Sequence, residues 1–280
     1  MRLLEKSARA ILDDEQLGRL WKGIDVVGDI AILRLPQELE HRRFRIAEEL
    51  LGFAPYLGVI LRQVGPVESQ FRTRKFEWLA GEKRTETVHK EFGCQYKVDV
   101  ERVYFSPRLS HERKRIADLA SEGESIVNFF AGVGSFSIMI ARHARPSTIY
   151  SLDLNPIAVR YHEINNVLNR VGEIIDVICG DANSIVSASL VGRADRVLLP
   201  LPNLALNSLT TAESALKDGH GTIHCYAFVD ARRREEVYGK ALLNFGPFLN
   251  SVGATRKNTQ AHVVRSVGPC RYQVCLDITL

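Results

Sequence analysis

Hydrophobic and polar positions follow two different patterns in this sequence, and the change falls near residue 110. Before it, short apolar runs are mixed with amphipathic helical stretches. The clearest strand pattern is Gln95–Phe105, where Tyr96, Val98 and Val100 alternate onto one face. This mixture predicts a small α+β domain at residues 1–109. Its expected elements are a helix over residues 1–20, a hairpin at Ile24–Leu35, a helix at Pro36–Leu51, strands at Tyr56–Gln63, Phe71–Ala80 and Thr85–Phe92, and a turn at Gly65-Pro66.

Residues 110–280 predict a second domain of a different type, because apolar runs alternate regularly with longer helical segments. This alternation is typical of a mainly parallel, doubly wound sheet. Ser110 is expected to cap the first helix. The last two strands predict an antiparallel hairpin. The expected strands are Ile126–Phe130, Thr148–Leu152, Ile174–Cys179, Arg196–Leu199, Thr222–Phe228, Ala261–Ser266 and Tyr272–Ile278. Two helices are expected to start at Ser110 and at Phe136. Three more are expected to span Pro156–Val171, Leu204–Lys217 and Arg232–Asn244.

The stretch Ser125–Asp153 has the pattern of a nucleotide-binding βαβ unit. An apolar strand leads into a turn that contains Gly132 and Gly134, a helix follows, and a second strand ends at Asp153, 21 residues after Gly132. Glycine has no Cβ, so the backbone can turn tightly and lie against a ligand. The helix N-terminus directs N–H groups to the same place. Asp153 can accept hydrogen bonds from both hydroxyls of a ribose.

Three further features indicate which nucleotide binds. A dinucleotide-binding turn has a third glycine where this chain has Ser137. Asn155-Pro156 opens a long helix directly after the acid, and Asp181 follows the third strand, where it can accept from an adenine amine. These features favour S-adenosylmethionine over a nicotinamide cofactor. They predict an α/β class I methyltransferase fold, a Rossmann-like doubly wound sheet with a terminal antiparallel hairpin, preceded by the small α+β domain.

Composition limits the compartment and the partners. The chain of 280 residues carries a net charge of +4, which permits a nucleic-acid partner without establishing one. It contains no apolar run long enough to span a membrane, and its first residues lack the apolar core of a signal peptide. The five cysteines include no CxxC pair, so we expect reduced thiols, no metal site and a cytoplasmic protein.

Several segments together resemble the archaeal and eukaryotic tRNA (guanine-37-N1)-methyltransferase family. They are Asp25–Ala31, Val64–Val67, Phe71–Arg74, Glu86–His89, Tyr104–Leu109 and Phe130–Gly134, and the resemblance extends through residues 20–280. It implies an enzyme that uses S-adenosylmethionine, needs no metal, binds the anticodon arm of tRNA and methylates N1 of guanosine 37. Because the match begins near residue 20, we expect a short archaeal member without the N-terminal domain that contacts the tRNA corner. We expect no stable protein partner.

The resemblance also implies roles for individual residues. Glu112 is expected to be the general base that removes the proton of guanine N1, and Arg72 to stabilise charge on O6. By spacing alone, Glu112 would be a helix-capping acid and Arg113-Lys114-Arg115 a solvated helix face. Cofactor contacts are expected from Tyr104, Phe129, Ala131, Gly132, Gly134, Asp153, Leu154, Asp181 and Ala182, and RNA contacts from Arg72, Arg74 and Arg108.

The loop after the fourth strand departs from the family pattern. Pro200-Leu201-Pro202 forms a stiff segment where the methyl acceptor is expected, so Pro200 and Pro202 are assigned to the active site. Many N1-methylating members have an asparagine at the position of Pro200 that is thought to hold the guanine, and proline has no amide group to replace it. Asn128 likewise stands where the family usually has an acid. The alternative target is C7 of 4-demethylwyosine at position 37, alone or in addition to N1. Aminocarboxypropyl transfer and a non-catalytic RNA-binding protein are less favoured.

Overall fold

The chain divides into two compact units, Met1–Ser110 and His111–Leu280. The computed structural model describes residues 2–21, 23–68, 71, 73–253, 255 and 257–280. The division lies one residue after the domain boundary that the sequence pattern predicts.

The first unit contains a small sheet covered by helices. Its described elements are α1 Leu3–Ala8, α2 Asp14–Arg19, β1 Asp25–Val27, β2 Ile30–Leu33, α3 Arg43–Phe53, β3 Val59–Glu68, β4 Thr73–Gly81, β5 Glu86–Glu91 and β6 Cys94–Asp99. Four strands form a sheet in the order β1-β2-β3-β4, in which only β2 and β3 are parallel, and β5 pairs with β6 in a separate hairpin. Leu4, Leu17, Ile46 and Leu50 of the helices are buried in one cluster with Leu33. Burial of this apolar surface is what holds the helices on the sheet.

The predictions for residues 1–20 and for Gly65-Pro66 were wrong. The single helix expected over residues 1–20 is two helices, because Asp13 begins α2 by accepting a hydrogen bond at 2.8 Å from the backbone N–H three residues later. Gly65-Pro66 lies inside β3 and does not form a turn between elements. Gly65 has a φ of +80°, and the register with β4 shifts between Val64 and Glu68. The glycine therefore belongs to a bulge within a continuous strand.

The second unit is a doubly wound α/β sheet. Its described elements are α4 Ser110–Leu119, β7 Ser125–Asn128, α5 Ser135–Ala144, β8 Thr148–Asp153, α6 Pro156–Asn169, β9 Ile175–Cys179, α7 Ala182–Ile185, β10 Arg196–Leu199, α8 Leu209–Ser214, β11 Thr222–Asp230, α9 Val237–Ser251, β12 Thr259–Gly268 and β13 Arg271–Thr279. The strand order is β12-β13-β11-β10-β7-β8-β9. The five strands from β11 to β9 are parallel, and β13 runs antiparallel to both β11 and β12. The predicted fold class is confirmed. No described helix has the length and apolar character needed to cross a membrane.

Three helix boundaries in the second unit differ from prediction. Ser110 has helical angles and follows a 3-10 turn at Pro107–Leu109, so it is the first residue of α4 and not its cap. The helix expected at Leu204–Lys217 is reduced to α8 and a preceding 3-10 turn. The helix expected at Arg232–Asn244 begins later, as α9, and continues beyond Asn244 through Pro247.

The two faces of the sheet differ in character where β11, β13 and β12 meet. On one face Cys225, Val274 and Leu276 belong to the main apolar cluster, together with residues of α9. On the other face, the alternate positions of the same strands carry the buried polar side chains of His224 and Tyr226 and the partly buried Asp277. Helix α4 covers this second face through contacts of its own polar side chains. A buried polar layer therefore separates α4 from the sheet.

Candidate active site

The glycine turn after β7 lies at the carboxyl edge of the parallel strands and is bonded to the strand on either side. Phe129 N donates to β10 at 2.9 Å, and Ala131 N donates to β8 at 2.8 Å. The chain then passes through left-handed φ values at Gly132 (+58°) and Gly134 (+84°), which side chains with a Cβ disfavour. Helix α5 starts directly afterwards, so its N-terminal N–H groups lie at the same edge.

A buried histidine gives a second reason for glycine at position 134. A Cβ on Gly134 would lie 2.1 Å from Cδ2 of His162 on α6. His162 is fully buried, and neither ring nitrogen has a hydrogen-bond partner among the described residues. Burial lowers the pKa of His162 to about 3. The turn therefore rests against a neutral imidazole ring.

Asp153, at the end of β8, holds the turn in place. Its Oδ2 accepts a hydrogen bond from Gly132 N at 2.6 Å, and its Oδ1 accepts from Asn155 N at 2.9 Å. Burial raises the pKa of Asp153, and the two hydrogen bonds oppose that effect. A carboxylate offers about four lone-pair positions, so about two remain for the hydroxyls of a ribose.

The neighbouring strand β9 brings a second acid to this edge. Cys179, its last residue, is level with Asp153 in the sheet. Asp181 then caps α7, because its Oδ1 accepts from the backbone N and from Oγ of Ser184, both at 2.8 Å. Leu154 is 47% exposed beside Asp153 and offers apolar surface to a ligand. The remaining expected cofactor positions in this unit, Phe129, Ala131 and Ala182, are buried.

The loop that follows β10 starts at the same edge of the sheet. The end of β10 is level with Cys225 of β11, so Pro200 is the first residue beyond the strand and Tyr226 is the next residue along β11. Pro200 is half-buried and Pro202 is buried. The carbonyl of Leu201 accepts two backbone hydrogen bonds, at 3.0 and 2.9 Å, from the residues that follow the prolines. Two fixed φ angles and this closed turn make the loop stiff.

Glu112 lies in the first turn of α4 and is 5% exposed. Its Oε1 accepts from Tyr226 OH at 2.7 Å and from Arg115 Nη2 at 2.8 Å, and its Oε2 accepts from Arg115 Nε at 2.8 Å. His262 Nε2 lies 3.7 Å from Oε2, and 47% of the His262 side chain is exposed. The interpretation of the basic run on α4 as a solvated face was wrong, because Arg113 is 1% exposed and Arg115 is paired with Glu112.

Arg115 extends this network into the sheet. Its Nη1 donates to Asp277 Oδ2 at 2.7 Å, and Asp277 Oδ1 accepts from His224 Nδ1 at 2.6 Å. On the other side of the ring, Nε2 of His224 lies 2.6 Å from Arg196 Nη1, which can only donate. Burial lowers the pKa of His224, and we therefore assign a neutral ring with its proton on Nδ1. Burial alone would raise the pKa of Asp277, but hydrogen bonds from His224 and Arg115 lower it overall.

His224, Cys275 and Asp277 also have the spacing of metal ligands, since their ligand atoms lie within 4.8 Å of one another. Cys275 Sγ donates to Asp277 at 3.2 Å, and the other two side chains bond to each other. Arg115 and Arg196 place two positive charges beside this cluster, and these charges would repel a cation. The arrangement fits an ion-pair network better than a metal centre.

The remaining expected site residues belong to the first unit. The guanidinium carbon of Arg74 lies 5.9 Å from the ring centroid of Tyr104, a cation–π contact. Arg108 Nε donates to Asp25 Oδ1 at 2.5 Å, and about half of the Arg108 side chain is exposed. Arg72 lies outside the described residues. The functional roles expected for these four side chains stay predictions.

Sequence reasoning missed Arg115, Tyr226, Asp277 and His262. The signal for part of this set was present, because His224 and Tyr226 on β11, and Gln273, Cys275 and Asp277 on β13, alternate with apolar residues. In an antiparallel strand this alternation predicts a face exposed to solvent. Here α4 covers that face, a long-range contact that no local pattern encodes.

The fold and the site together define a class I methyltransferase. The glycine turn, the acid at the end of β8 and the acid after β9 meet at the carboxyl edge of a doubly wound sheet, and β13 is inserted between β11 and β12. The chain belongs to the TRM5/TYW2 methyltransferase family: the TRM5/TYW2 methyltransferase domain matches residues 87–244, and the TYW2 N-terminal domain matches residues 4–85.

Three relatives place the chain within this family. The tRNA (guanine(37)-N(1))-methyltransferase Trm5b of Pyrococcus abyssi is 35% identical over 253 residues, which cover 90% of this chain and 73% of that protein. Its crystal structure matches with a TM-score of 0.83 over 98% of this chain and 80% of that chain, at 33% identity. The tRNA 4-demethylwyosine(37)-methyltransferase Taw21 of Saccharolobus solfataricus is 36% identical over 268 residues, 95% of this chain and 96% of that protein. The structure of M. jannaschii TYW2 in complex with AdoMet matches with a TM-score of 0.68 at 25% identity, over 91% of this chain and 98% of that chain.

Proposed function

We propose that this protein is an S-adenosylmethionine-dependent tRNA methyltransferase that acts at position 37, beside the anticodon, on N1 of guanosine. The observation that carries the proposal is a buried carboxylate, Glu112, which accepts a hydrogen bond from Tyr226. Tyr226 lies on β11, one residue after Cys225, which is level with the end of β10. The same unit contains the glycine turn and the two acids that suit a nucleoside. The family and the named activities of its members support this reading.

The residues at the carboxyl edge fit the cofactor. Gly132 and Gly134 allow the left-handed backbone of the turn, Asp153 would hold the ribose with its remaining lone pairs, and Asp181 would accept from the adenine amine. Leu154 would contact the adenine face, since it is exposed beside both acids. Tyr104 of the first unit is assigned to the methionine end by family resemblance. When bound, S-adenosylmethionine supplies a methyl group on a positively charged sulfur.

The chemistry at the acceptor requires a base. N1 of guanine carries a proton, so the N1–H bond must break before the nitrogen lone pair can attack. Glu112 would take that proton as an O–H bond forms on its carboxylate. The stiff Pro200–Pro202 loop would limit the positions that the purine can occupy. Arg72 would stabilise the charge on O6, and Arg74 and Arg108 would contact RNA phosphates.

A second candidate target is C7 of 4-demethylwyosine at the same position. Two observations favour it. Pro200 has no amide with which to bind guanine. The relative named for the 4-demethylwyosine reaction matches almost end to end, over 96% of its length. In this reaction Glu112 would take a proton from carbon instead of nitrogen, so the same base serves both candidates.

Transfer of labelled methyl groups to two tRNAs, followed by nucleoside analysis, tests both targets. One tRNA carries unmodified guanosine at position 37, and the other carries 4-demethylwyosine there. Product from the guanosine tRNA supports the main proposal, whereas product only from the second tRNA supports the alternative. A tRNA with adenosine at position 37 is the control for position. Absence of methylated product from both substrates, with cofactor binding intact, would refute the proposed function.

Pro200→Asn tests what distinguishes the two targets. If Pro200 disfavours guanine because it lacks an amide, the variant should raise the ratio of guanosine product to 4-demethylwyosine product by about tenfold, the effect of one well-made hydrogen bond in a closed site. Pro202→Ala is the matched control, since it softens the same loop without adding a side-chain amide. An equal shift in both variants would attribute the effect to loop stiffness instead.

A further inference from the structure

Glu112 is almost completely buried, yet the proposed function requires it to release a proton after every turnover. Methyl transfer from a sulfonium donor to a ring that carries a proton at the reacting atom releases one proton per product, whether that atom is N1 or C7. We propose that His262 carries this proton from Glu112 to solvent. The inference rests on the proposed function and adds a proton-transfer path to it.

The neighbours of Glu112 leave one route among the described residues. Burial and the adjacent Glu112 carboxylate raise the pKa of Tyr226 well above its ordinary value, so its hydroxyl stays protonated and can only donate to Glu112. Burial works to lower the pKa of Arg115, but its hydrogen bonds to Glu112 and Asp277 outweigh this and raise it. Arg115 therefore cannot accept a proton either. The third neighbour is His262, whose imidazole has one ring nitrogen that can accept a proton and another that can donate one.

The position of His262 suits a path to water. Its Nε2 is 3.7 Å from Glu112 Oε2, and a shift of about 0.7 Å would bring the two atoms to ordinary hydrogen-bond distance. With 47% of its side chain exposed, the ring touches bulk solvent, whereas the Glu112 side chain is 3% exposed. The His262 ring thus reaches from the buried carboxylate of Glu112 to bulk solvent.

Charged and titratable groups approach this region from three elements. Helix α4 contributes Glu112 and Arg115, and β11 contributes Tyr226 behind the carboxylate. Strand β13 contributes Cys275, which is paired in register with His262, and Asp277 two residues further along. Both groups on β13 are bonded within the network, Cys275 to Asp277 and Asp277 to Arg115. Neither therefore competes with His262 for the Glu112 proton.

The step balances without a further reactant. The O–H bond of protonated Glu112 breaks, its electron pair stays on the carboxylate, and a new N–H bond forms on Nε2 of neutral His262. The resulting imidazolium then gives a proton to water and returns to its neutral form. Glu112 is again a carboxylate, bonded to Arg115 and Tyr226, and can accept the next substrate proton.

His262→Ala separates proton release from the methyl-transfer step. In a single turnover Glu112 starts as a carboxylate, so the variant should transfer one methyl group at a rate within about twofold of wild type. In the steady state the carboxylate must be regenerated, and kcat should fall by about tenfold or more while kcat/KM for tRNA, which reports the steps through methyl transfer, stays unchanged. Added imidazole should restore kcat by replacing the missing ring. Gln260→Ala is the matched control, because Gln260 is exposed two residues away on the same strand and cannot titrate near neutral pH.

A kcat within twofold of wild type would overturn the proposal, and so would equal losses in single and multiple turnovers that imidazole does not restore. Nitrogen-15 NMR of labelled histidine provides a readout without turnover: Glu112→Gln should move the Nε2 resonance of His262, identified by its loss in His262→Ala. An unmoved resonance would also count against the contact. If wild-type protein transfers no methyl group to either tRNA, the proposed function fails. If the wild type is active and the steady-state kcat of His262→Ala equals that of wild type, only the proton path is refuted.

Discussion

The contact between Gly134 and His162 makes a quantitative prediction about the glycine turn. In Gly134→Ala, the new Cβ would lie 2.1 Å from Cδ2, 2.3 Å from Nε2 and 2.8 Å from Cγ of the ring. The residue would also keep a φ of +84°, which costs an L-amino acid about 1–2 kcal/mol. Overpacking against a buried ring adds about 1–3 kcal/mol. The expected loss in the free energy of unfolding is therefore about 2–5 kcal/mol.

Only the steric part of this loss depends on the histidine. In the His162→Ala background the ring is absent, so Gly134→Ala should cost only the backbone contribution of about 1–2 kcal/mol. The double-mutant cycle should accordingly give a coupling of about 1–3 kcal/mol between the two positions. Gly134→Ala should also weaken cofactor binding more in the presence of the His162 ring than in its absence, because a displaced turn no longer presents its N–H groups to the ligand.

Hydrogen exchange of the β7 and α5 amides measures the relevant free energy, since it reports opening of the segment that contains the turn. Both tryptophans, Trp21 and Trp78, belong to the first unit. Their fluorescence provides an internal control that should not change. If Gly134→Ala costs the same with and without the ring, within about 0.5 kcal/mol, the steric argument is refuted.

Three further predictions concern the cofactor site. Asp153→Ala should destabilise the second unit by about 2–4 kcal/mol and abolish cofactor binding, because it leaves two backbone donors unpaired. Asp153→Asn keeps one acceptor and should lose less stability. Equal melting temperatures of the two variants would contradict this. S-Adenosylhomocysteine should slow alkylation of Cys179, which is exposed beside Asp153, and leave the exposed thiol of Cys270 unaffected; mass spectrometry of both peptides checks this. The folded state holds His162 neutral, with a pKa of about 3, below the value of about 6.5 in an unfolded chain. Its contribution to stability is therefore complete above about pH 6.5. As pH falls from there towards 3, the free energy of unfolding should decrease by about 1.4 kcal/mol per pH unit. His162→Ala should lack this part of the acid sensitivity in urea unfolding at several pH values, and identical pH slopes would count against the buried neutral ring.

The sequence was sufficient to predict the glycine turn because the residues that determine its conformation are local. Gly132, Gly134 and the helix after them are contiguous, and their conformation follows from the missing Cβ. Asp153 was placed correctly at the end of its strand, but its bonds to the turn were not foreseen. The acid was assigned to a ligand alone, whereas in the structure it also closes the backbone of the turn. Short motifs thus predict the position of a side chain better than they predict its partners.

Element boundaries were predicted less well, for identifiable reasons. Gly65-Pro66 has the composition of a turn, and only the pairing of β3 with β4 turns it into a bulge within a strand. The strand expected over Gln95–Phe105 ends at Asp99, because its antiparallel partner β5 begins at Glu86, the residue that pairs with Asp99. Strand length is set by the neighbouring strand, and this information lies elsewhere in the chain.

The environment of Glu112 combines the features of a structural ion pair with those proposed for a proton acceptor, and the partners of each carboxylate in the network explain how both can hold. Arg115 and Arg196 face three carboxylates, Glu112, Asp277 and Glu124, while the ring of His224 is neutral. Hydrogen bonds from His224 and Arg115 lower the pKa of Asp277, and Glu124 is paired with Arg196 through two hydrogen bonds. Glu112 shares Arg115 with Asp277 and borders the exposed ring of His262, which is why we propose it as the member of this network that takes up and releases a proton.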